Sequence, residues 1–186
     1  MEYLKALAAN VPEYRRLASN IISKPPLPAM VTGLSYIQKA HFLAALCDEN
    51  IEKPLLVLVD AEGVGMRLCD DINTMSGRQC AVLYPAKDLT LTDVDVVSRE
   101  YEHRRLDVLY RLATGTCEIV VATPEAAAQL TLPRETLLQR TIRLNTGEDI
   151  SLEELAKALI AAGFSRTDMI EGASQFSIRG SIADIF

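Results

Sequence analysis

The stretch Pro28–Phe42 (PAMVTGLSYIQKAHF) is the part of the sequence whose pattern comes closest to nucleotide chemistry. It predicts a short apolar strand, a glycine turn at Gly33 and the start of a helix, whose N-terminal N–H groups are suited to phosphate. A functional phosphate-binding loop has the pattern G-x-x-x-x-G-K-[ST]. When that pattern is aligned on Val31-Thr32-Gly33, its four defining positions hold Met30, Ser35, Tyr36 and Ile37.

The lysine that would neutralise phosphate charge has no replacement in the sequence. Lys39 lies three residues beyond the lysine position, about one helical turn further on, and Lys87 is far away along the chain. The sequence therefore predicts a degenerate nucleotide loop that holds neither ATP nor magnesium. Gly63-Val-Gly65 is half of a dinucleotide fingerprint, but Leu68 replaces its third glycine, so we interpret it as a turn and helix start.

Composition limits the class of protein. The chain has 186 residues, 49% hydrophobic and 24% charged, which is typical of a packed soluble core in one domain or one domain plus a smaller one. A net charge of −6 argues against a strong DNA-binding surface. None of the four cysteines forms a C-x-x-C pair, and with only two histidines present we expect reduced thiols rather than a metal site.

Several absences point to the cytoplasm. No apolar run approaches the roughly 20 residues of a membrane span, so no membrane partner is expected. The N-terminus lacks a basic segment followed by an apolar one, so it does not resemble a signal peptide. No Ser/His/Asp or Cys/His set suggests catalysis, so no catalytic residue is proposed.

The first part of the chain alternates strands with helices, which predicts a parallel sheet flanked by helices. Pro12 either breaks the first helix or begins a second one after Asn10. Pro54–Asp60, apolar on both faces, is expected to be a central strand. The other predicted strands are Ala29–Thr32, Cys80–Tyr84 and Glu118–Thr123. The predicted helices are Glu2–Ser23, Leu34–Cys47, Met66–Met75, Ser98–Ala113 (with Ser98 as N-cap) and Pro124–Leu130.

The pattern of predicted helices and strands changes near Leu132. This change predicts two domains, an α/β domain over 1–131 and a smaller α+β domain over 132–186. In the second, Ser151 and Glu154 indicate the capped start of a helix that ends at Ala162 before Gly163. A helical turn is expected at Pro133–Gln139, and strands at Thr141–Asn145, Thr167–Ile170, Gln175–Arg179 and Ser181–Phe186. Because the last strand stops at Phe186, we expect this domain to be truncated at its C-terminus.

Two blocks of sequence resemble a known family. Asp95–Leu106 with Glu118–Ala126, and Gly163–Phe186 with its F-S-x-R-G-x-x-x-D-I-F signature, are similar to the N-terminal module of bacterial transcription-repair coupling factors. The excision-repair protein UvrB carries the same blocks. UvrB, however, needs an intact ATP loop and a long tyrosine-rich hairpin, whereas Ala86–Val97 is short and has no aromatic residue.

The resemblance implies a docking module that recruits the repair protein UvrA to stalled RNA polymerase in nucleotide excision repair. Arg179, the arginine of the F-x-x-R-G motif, belongs to the implied interface, and Gly180, Phe176 and Arg166 are further candidates. The resemblance also implies that other domains of a full-length protein mask this surface. RNA polymerase, DNA, ATP and magnesium would be bound only by motor and polymerase-binding domains outside this chain.

The residues themselves leave alternatives open. Arg179 can be an interface hot spot or can pair with Asp184 or Asp168 for structure alone, and Phe176 can be a contact or a core residue. The alternative function is a nucleotide-binding or ATPase fragment of a UvrB-like helicase. A DNA-binding module is a third hypothesis, which the net charge and the missing hairpin oppose.

Overall fold

The computed structural model describes residues 7–23, 25–47, 49, 54–87 and 100–186. These residues belong to two units, Met1–Leu130 and Thr131–Phe186. The predicted N-cap Ser98 and most of the predicted loop Ala86–Val97 lie outside the described residues.

A parallel sheet forms the centre of the first unit. Its strands are β1 (Leu55–Leu58), β2 (Ala81–Tyr84) and β3 (Ile119–Ala122), in the order β1-β3-β2. The helices of this unit whose bounds are described are α1 (Pro12–Ile22), α2 (Tyr36–Leu46), α3 (Glu62–Ser76), α4 (Glu100–Thr114) and α5 (Pro124–Ala128). Residues 7–9 are also helical. Helices α2 and α3 pack on one face of the sheet and α4 and α5 on the other, so the predicted α/β class is confirmed.

Local sequence explains where several helices begin and end. Pro12 lies in the first turn of α1, where the N–H that proline lacks would have no partner within the helix. Of the two predicted alternatives, Pro12 therefore begins a helix. Helix α3 ends at Gly77, whose φ of +70° is the left-handed conformation that favours glycine. Thr123 caps α5 by accepting a hydrogen bond from the Ala126 N–H at 3.2 Å.

The predicted strand Ala29–Thr32 is wrong. This segment makes no sheet pairing, and Met30 is 90% exposed. The proline-rich connector before it folds back on α1, where the Leu27 N–H donates to the Asn20 carbonyl at 3.1 Å. Prolines supply no donors for a strand ladder, so the connector and the segment after it stay outside the sheet.

The predicted central strand is also misplaced. Within the described residues β1 pairs only with β3, and its Leu56 and Leu58 are 59% and 54% exposed. The central strand is β3, whose four residues are all buried. An apolar sequence on both faces shows that a strand suits a parallel sheet, but it does not specify which strands lie beside it.

The glycine pair in α3 has a packing role. Gly63 and Gly65 lie in the first turns of the helix, as the turn-and-helix interpretation predicted. Gly65 is buried, and a Cβ atom there would lie 2.9 Å from Leu83 Cδ1 and 3.2 Å from Val121 Cγ1. Glycine therefore lets α3 approach the sheet closely, whereas Gly63 faces open space.

The second unit is a small mixed sheet with two helices. It contains α6 (Arg134–Gln139), α7 (Leu152–Ala161), β4 (Ser165–Arg166), β5 (Gln175–Arg179) and β6 (Ile182–Ile185). Strand β5 is central, with β4 parallel and β6 antiparallel to it. Its core is formed by Leu155, Leu159 and Phe176. The capped start of α7 is confirmed, since Ser151 Oγ accepts from the Glu154 N–H at 3.4 Å.

Two predicted strands of this unit are wrong. Thr141–Asn145 is not a strand, because Thr141 closes helix α6 through a hydrogen bond from its hydroxyl to the Leu137 carbonyl at 2.8 Å. Thr167–Ile170 is not a strand either. Pairing occurs earlier, at Ser165–Arg166, where the Ser165 N–H donates to the Ser174 carbonyl at 2.9 Å.

Candidate protein-docking site

The hairpin of β5 and β6 carries the residues that the family signature singles out. Arg179 pairs in register with Ile182, and Gly180 and Ser181 form the two-residue turn between them. Gly180 has φ +60°, the conformation that such tight hairpin turns need at their first position. The role of Gly180 is therefore to close the hairpin and thereby fix the position of Arg179.

The inner face of the hairpin is core. Successive side chains of a strand point to opposite faces, and Phe176 and Ile178 share the face that packs against α7. Phe176 is 0% exposed. Phe176 is thus a core residue that packs beneath the hairpin, and it is not part of the exposed surface.

The outer face presents Arg179 in a fixed orientation. Arg179 Nη2 donates to Asp184 Oδ2 at 2.8 Å, across the strand pair, so Asp184 and not Asp168 is its ionic partner. The side chains of Arg179 and Asp184 are 72% and 44% exposed. An exposed pair of this kind contributes about 0–1 kcal/mol to stability. The pair therefore orients the guanidinium, whose outer edge faces solvent.

Apolar surface lies beside this charge. Ile182, directly across the ladder from Arg179, is 62% exposed. On the same face Ser177 is buried, and its hydroxyl donates to the Asp168 carbonyl at 3.3 Å, which ties the loop before β5 to the hairpin. An arginine fork beside an exposed aliphatic side chain suits a partner that offers a carboxylate next to an apolar contact.

Arg166 does not belong to this surface. It is exposed on β4, but its register partner is Phe176. Because paired residues of neighbouring strands lie on one face of a sheet, Arg166 and Arg179 lie on opposite faces. The structure therefore does not bring the two predicted arginines together. Asp184 was one of the two partners predicted for Arg179, and the structure selects it. Sequence reasoning missed Ile182 as a neighbour of Arg179, although Ile182 alternates in β6 with the inward-facing residues.

In the segment predicted to be a degenerate nucleotide loop, side chains hydrogen-bond to the N–H groups at the start of the following helix. Ser35 Oγ accepts from the Gln38 N–H at 3.4 Å, and Gln38 Oε1 accepts from the Ser35 N–H at 2.8 Å. This capping box uses donors at the start of α2 that a phosphate would otherwise bind. Gly33 forms the predicted turn with φ +79°.

The other positions of the loop do not converge on a ligand. Met30, Tyr36 and Ile37 are 90%, 40% and 50% exposed. The pKa of Tyr36 is raised by partial burial and by the carboxylate of Asp71. A groove of about 510 Å³ lies next to the loop, and among the residues that the structure describes, the charged side chains that line it are Glu13 and Arg16. That lining does not resemble a phosphate site, which requires a cluster of positive charge.

Comparisons with known proteins find a family match within the second unit and relatives over most of the chain. Residues 142–186 match the UvrB interaction domain family. The chain is 32% identical over 157 residues to the transcription-repair-coupling factor of Bacillus subtilis (strain 168), a match that covers 84% of this chain and 13% of that protein. The same factor from Staphylococcus aureus (strain USA300) is 25% identical over 160 residues, and that from Staphylococcus haemolyticus is 26% identical over 157 residues. In both cases 84% of this chain and 13% of the relative are covered.

The chain thus spans about 13% of the length of the curated relatives it matches. Among the helices that the structure describes, none combines the length and apolar character needed to cross a membrane.

Proposed function

Because this chain belongs to the family of bacterial transcription-repair coupling factors, whose N-terminal UvrB-homology module it resembles, we propose that it is a docking module for the repair protein UvrA. In this role it binds UvrA through the outer face of the β5–β6 hairpin. The full-length protein would use that contact to bring UvrA to stalled RNA polymerase during nucleotide excision repair.

One observation carries the proposal. The segment that matches the UvrB interaction domain, 142–186, contains the whole hairpin, and the hairpin holds Arg179 exposed and oriented by Asp184. Arginine provides a planar fork of donors for a carboxylate and is enriched among interface hot spots. We therefore assign Arg179 as the principal contact. Gly180 and Phe176 position it, and Arg166 lies on the other face.

We further propose that the chain itself is not an enzyme and holds no nucleotide. The capping box of Ser35 and Gln38 supports this, together with the exposed Met30 at the first glycine position of the loop. ATP, magnesium, DNA and RNA polymerase would be bound by parts of the full-length protein outside this chain. Other domains of that protein would also mask the hairpin until it is needed.

A capture experiment tests the docking role. Immobilised chain is expected to retain purified UvrA, and Arg179→Glu is expected to abolish most of that retention. Lys157→Glu is the matched control, because Lys157 is also an exposed cation in an ion pair, with Glu153 on α7, and the change in charge is the same. Equal retention by wild type and Arg179→Glu, with both folded, would contradict the assignment of Arg179.

Titration calorimetry with magnesium-ATP tests the nucleotide hypothesis. We expect no heat of binding up to millimolar nucleotide. A micromolar dissociation constant would overturn the non-enzymatic assignment and favour the alternative, a nucleotide-binding or ATPase fragment of a UvrB-like helicase.

A further inference from the structure

Two cysteines from distant parts of the first unit lie in contact. Cys47 follows the last residue of α2, and Cys80 immediately precedes β2. Their Sγ atoms are 3.0 Å apart, although 33 residues separate them in the sequence. Cys80 is 1% exposed, whereas Cys47 is half-buried and reaches the surface.

Independent contacts hold each cysteine in place. The Asn73 side chain accepts hydrogen bonds from the N–H groups of Cys80 and Ala81 at 2.9 and 2.8 Å, which fixes the entry to β2. Arg78 Nη2 donates to the Cys47 carbonyl at 3.2 Å and so fixes the end of α2. These contacts fix the backbone positions that bring the two side chains together.

The electrostatics favour one shared negative charge on the pair. The thiol of Cys47 donates a hydrogen bond to Cys80 Sγ, and this bond, aided by the Ser76 hydroxyl and the charge of Arg78, lowers the pKa of Cys80 to about 6. The same hydrogen bond and partial burial raise the pKa of Cys47. The reactive form of a cysteine is the thiolate, so the pair is activated near neutral pH.

A metal ion is the competing occupant of this cluster. The ligand atoms of Cys47, Cys80 and Glu118 lie within 4.8 Å of one another. Both carboxylate oxygens of Glu118, however, accept hydrogen bonds from the Arg78 guanidinium. A cation already neutralises this acid and would repel a divalent metal, whereas the two sulfurs already lie in contact, 3.0 Å apart.

We propose that Cys47 and Cys80 are a reversible dithiol–disulfide pair, oxidised by low-molecular-weight disulfides of the glutathione type. The buried Cys80 thiolate acts as the base: it accepts the Cys47 proton as the Cys47 sulfur, which reaches the surface, attacks one sulfur of the oxidant. A Cys47–glutathione disulfide forms, the S–S bond of the oxidant breaks, and one glutathione thiolate leaves and takes up a proton.

Cys80 then resolves this intermediate. It loses its proton to solvent and attacks the Cys47 sulfur, which forms the Cys47–Cys80 bond and releases a second glutathione thiolate that is protonated in turn. In sum, two protein thiols and one small disulfide become one protein disulfide and two small thiols. The bond links the end of α2 to the start of β2, and this proposal does not depend on the docking function.

The test incubates the folded chain in glutathione buffers from reducing to oxidising. Free thiols are then blocked at low pH, and the chain is digested without reductant for mass spectrometry. Wild type is expected to yield a Cys47–Cys80 cross-linked peptide and to lose about 2 Da, the two thiol hydrogens. Cys117→Ser is the matched control, since Cys117 is buried and outside the cluster, and it should cross-link like wild type.

Variants of each cysteine alone distinguish the attacking role of Cys47 from the resolving role of Cys80. Cys80→Ser should accumulate glutathione on Cys47, because the intermediate cannot be resolved, and Cys47→Ser should leave Cys80 reduced because it is buried. Cys80→Ala removes the same thiol without adding a buried hydroxyl. Glutathione should accumulate on Cys47 in this variant too, which shows that the effect does not come from destabilisation by the serine hydroxyl.

Two results would overturn the proposal. One is folded wild type without the cross-link in the most oxidising buffer. The other is stoichiometric zinc binding that both Cys47→Ser and Cys80→Ser abolish, which would assign the cluster to a metal instead.

Discussion

At the scale of single residues, variants of the Arg179–Asp184 ion pair can show whether the pair stabilises the fold or whether Arg179 mainly recognises UvrA. Both side chains of the pair are exposed, so its contribution to stability is small. We expect Asp184→Asn to change the free energy of unfolding by less than about 1 kcal/mol in urea denaturation. The same variant should weaken UvrA capture far less than Arg179→Glu, because it leaves the guanidinium in place. If Asp184→Asn unfolds the hairpin, the pair is structural.

The cysteine pair gives a prediction about pH. The folded-state pKa of Cys80 is about 6, below its ordinary value of 9.0, so between these values the folded chain binds fewer protons than the unfolded chain. Stability should therefore rise with pH from about 6 to 9 and be lost as pH falls through 6. The raised pKa of Cys47 acts in the opposite direction only above about 9.

Urea denaturation under reducing conditions, from pH 6 to 8.5, measures this effect. Cys80→Ser should give a flatter profile than wild type. Identical slopes for the two proteins would show that the Cys80 thiolate does not contribute to stability.

At the scale of elements, the two glycines of α3 form a matched pair. Gly65→Ala places a methyl group against Leu83 and Val121 and should destabilise the chain by about 1 kcal/mol, since overpacking outweighs the gain in helix propensity. Gly63→Ala meets open space and should stabilise the chain by about 0.5 kcal/mol. Thermal and urea unfolding of both variants measure the difference. Equal effects would contradict the close packing of α3 on the sheet.

The sequence predicts most elements and fails for specific physical reasons. Helix α7 was predictable because its start and stop signals are local: the Ser151 cap and Gly163 with φ +95°. The error at Ala29–Thr32 arose because an apolar run does not show whether a strand is available to pair with it. The same lack of information about neighbours placed Pro54–Asp60 at the centre of the sheet, where β3 lies instead.

The candidate site was predictable only in part. The signature identified Arg179, and the residues offered Asp184 and Asp168 as partners. The choice between them depends on the register of the hairpin, which the two-residue turn sets. The separation of Arg166 from Arg179 depends on the pairing of β4 with β5, which no local signal specifies. One signal for the contact of Cys47 with Cys80 was overlooked. Helix C-termini and strand N-termini meet at the same edge of a parallel sheet, and Cys47 ends a predicted helix whereas Cys80 begins a predicted strand.

At the scale of the whole molecule, the two units have different parts in the proposed function. The first provides an α/β framework in which Ser35 and Gln38 form a capping box at the start of α2, and the second presents the hairpin. The segment matching the UvrB interaction domain lies entirely within the second unit. Docking by the second unit, without nucleotide, is therefore the central claim.

Calorimetric titration of UvrA into the chain tests that claim most directly. Wild type and Lys157→Glu should bind with the same dissociation constant, and Arg179→Glu should bind at least about thirtyfold more weakly, which corresponds to about 2 kcal/mol for a hot-spot arginine. Circular dichroism of each variant verifies that it is folded. Equal dissociation constants for wild type and a folded Arg179→Glu variant would contradict the account.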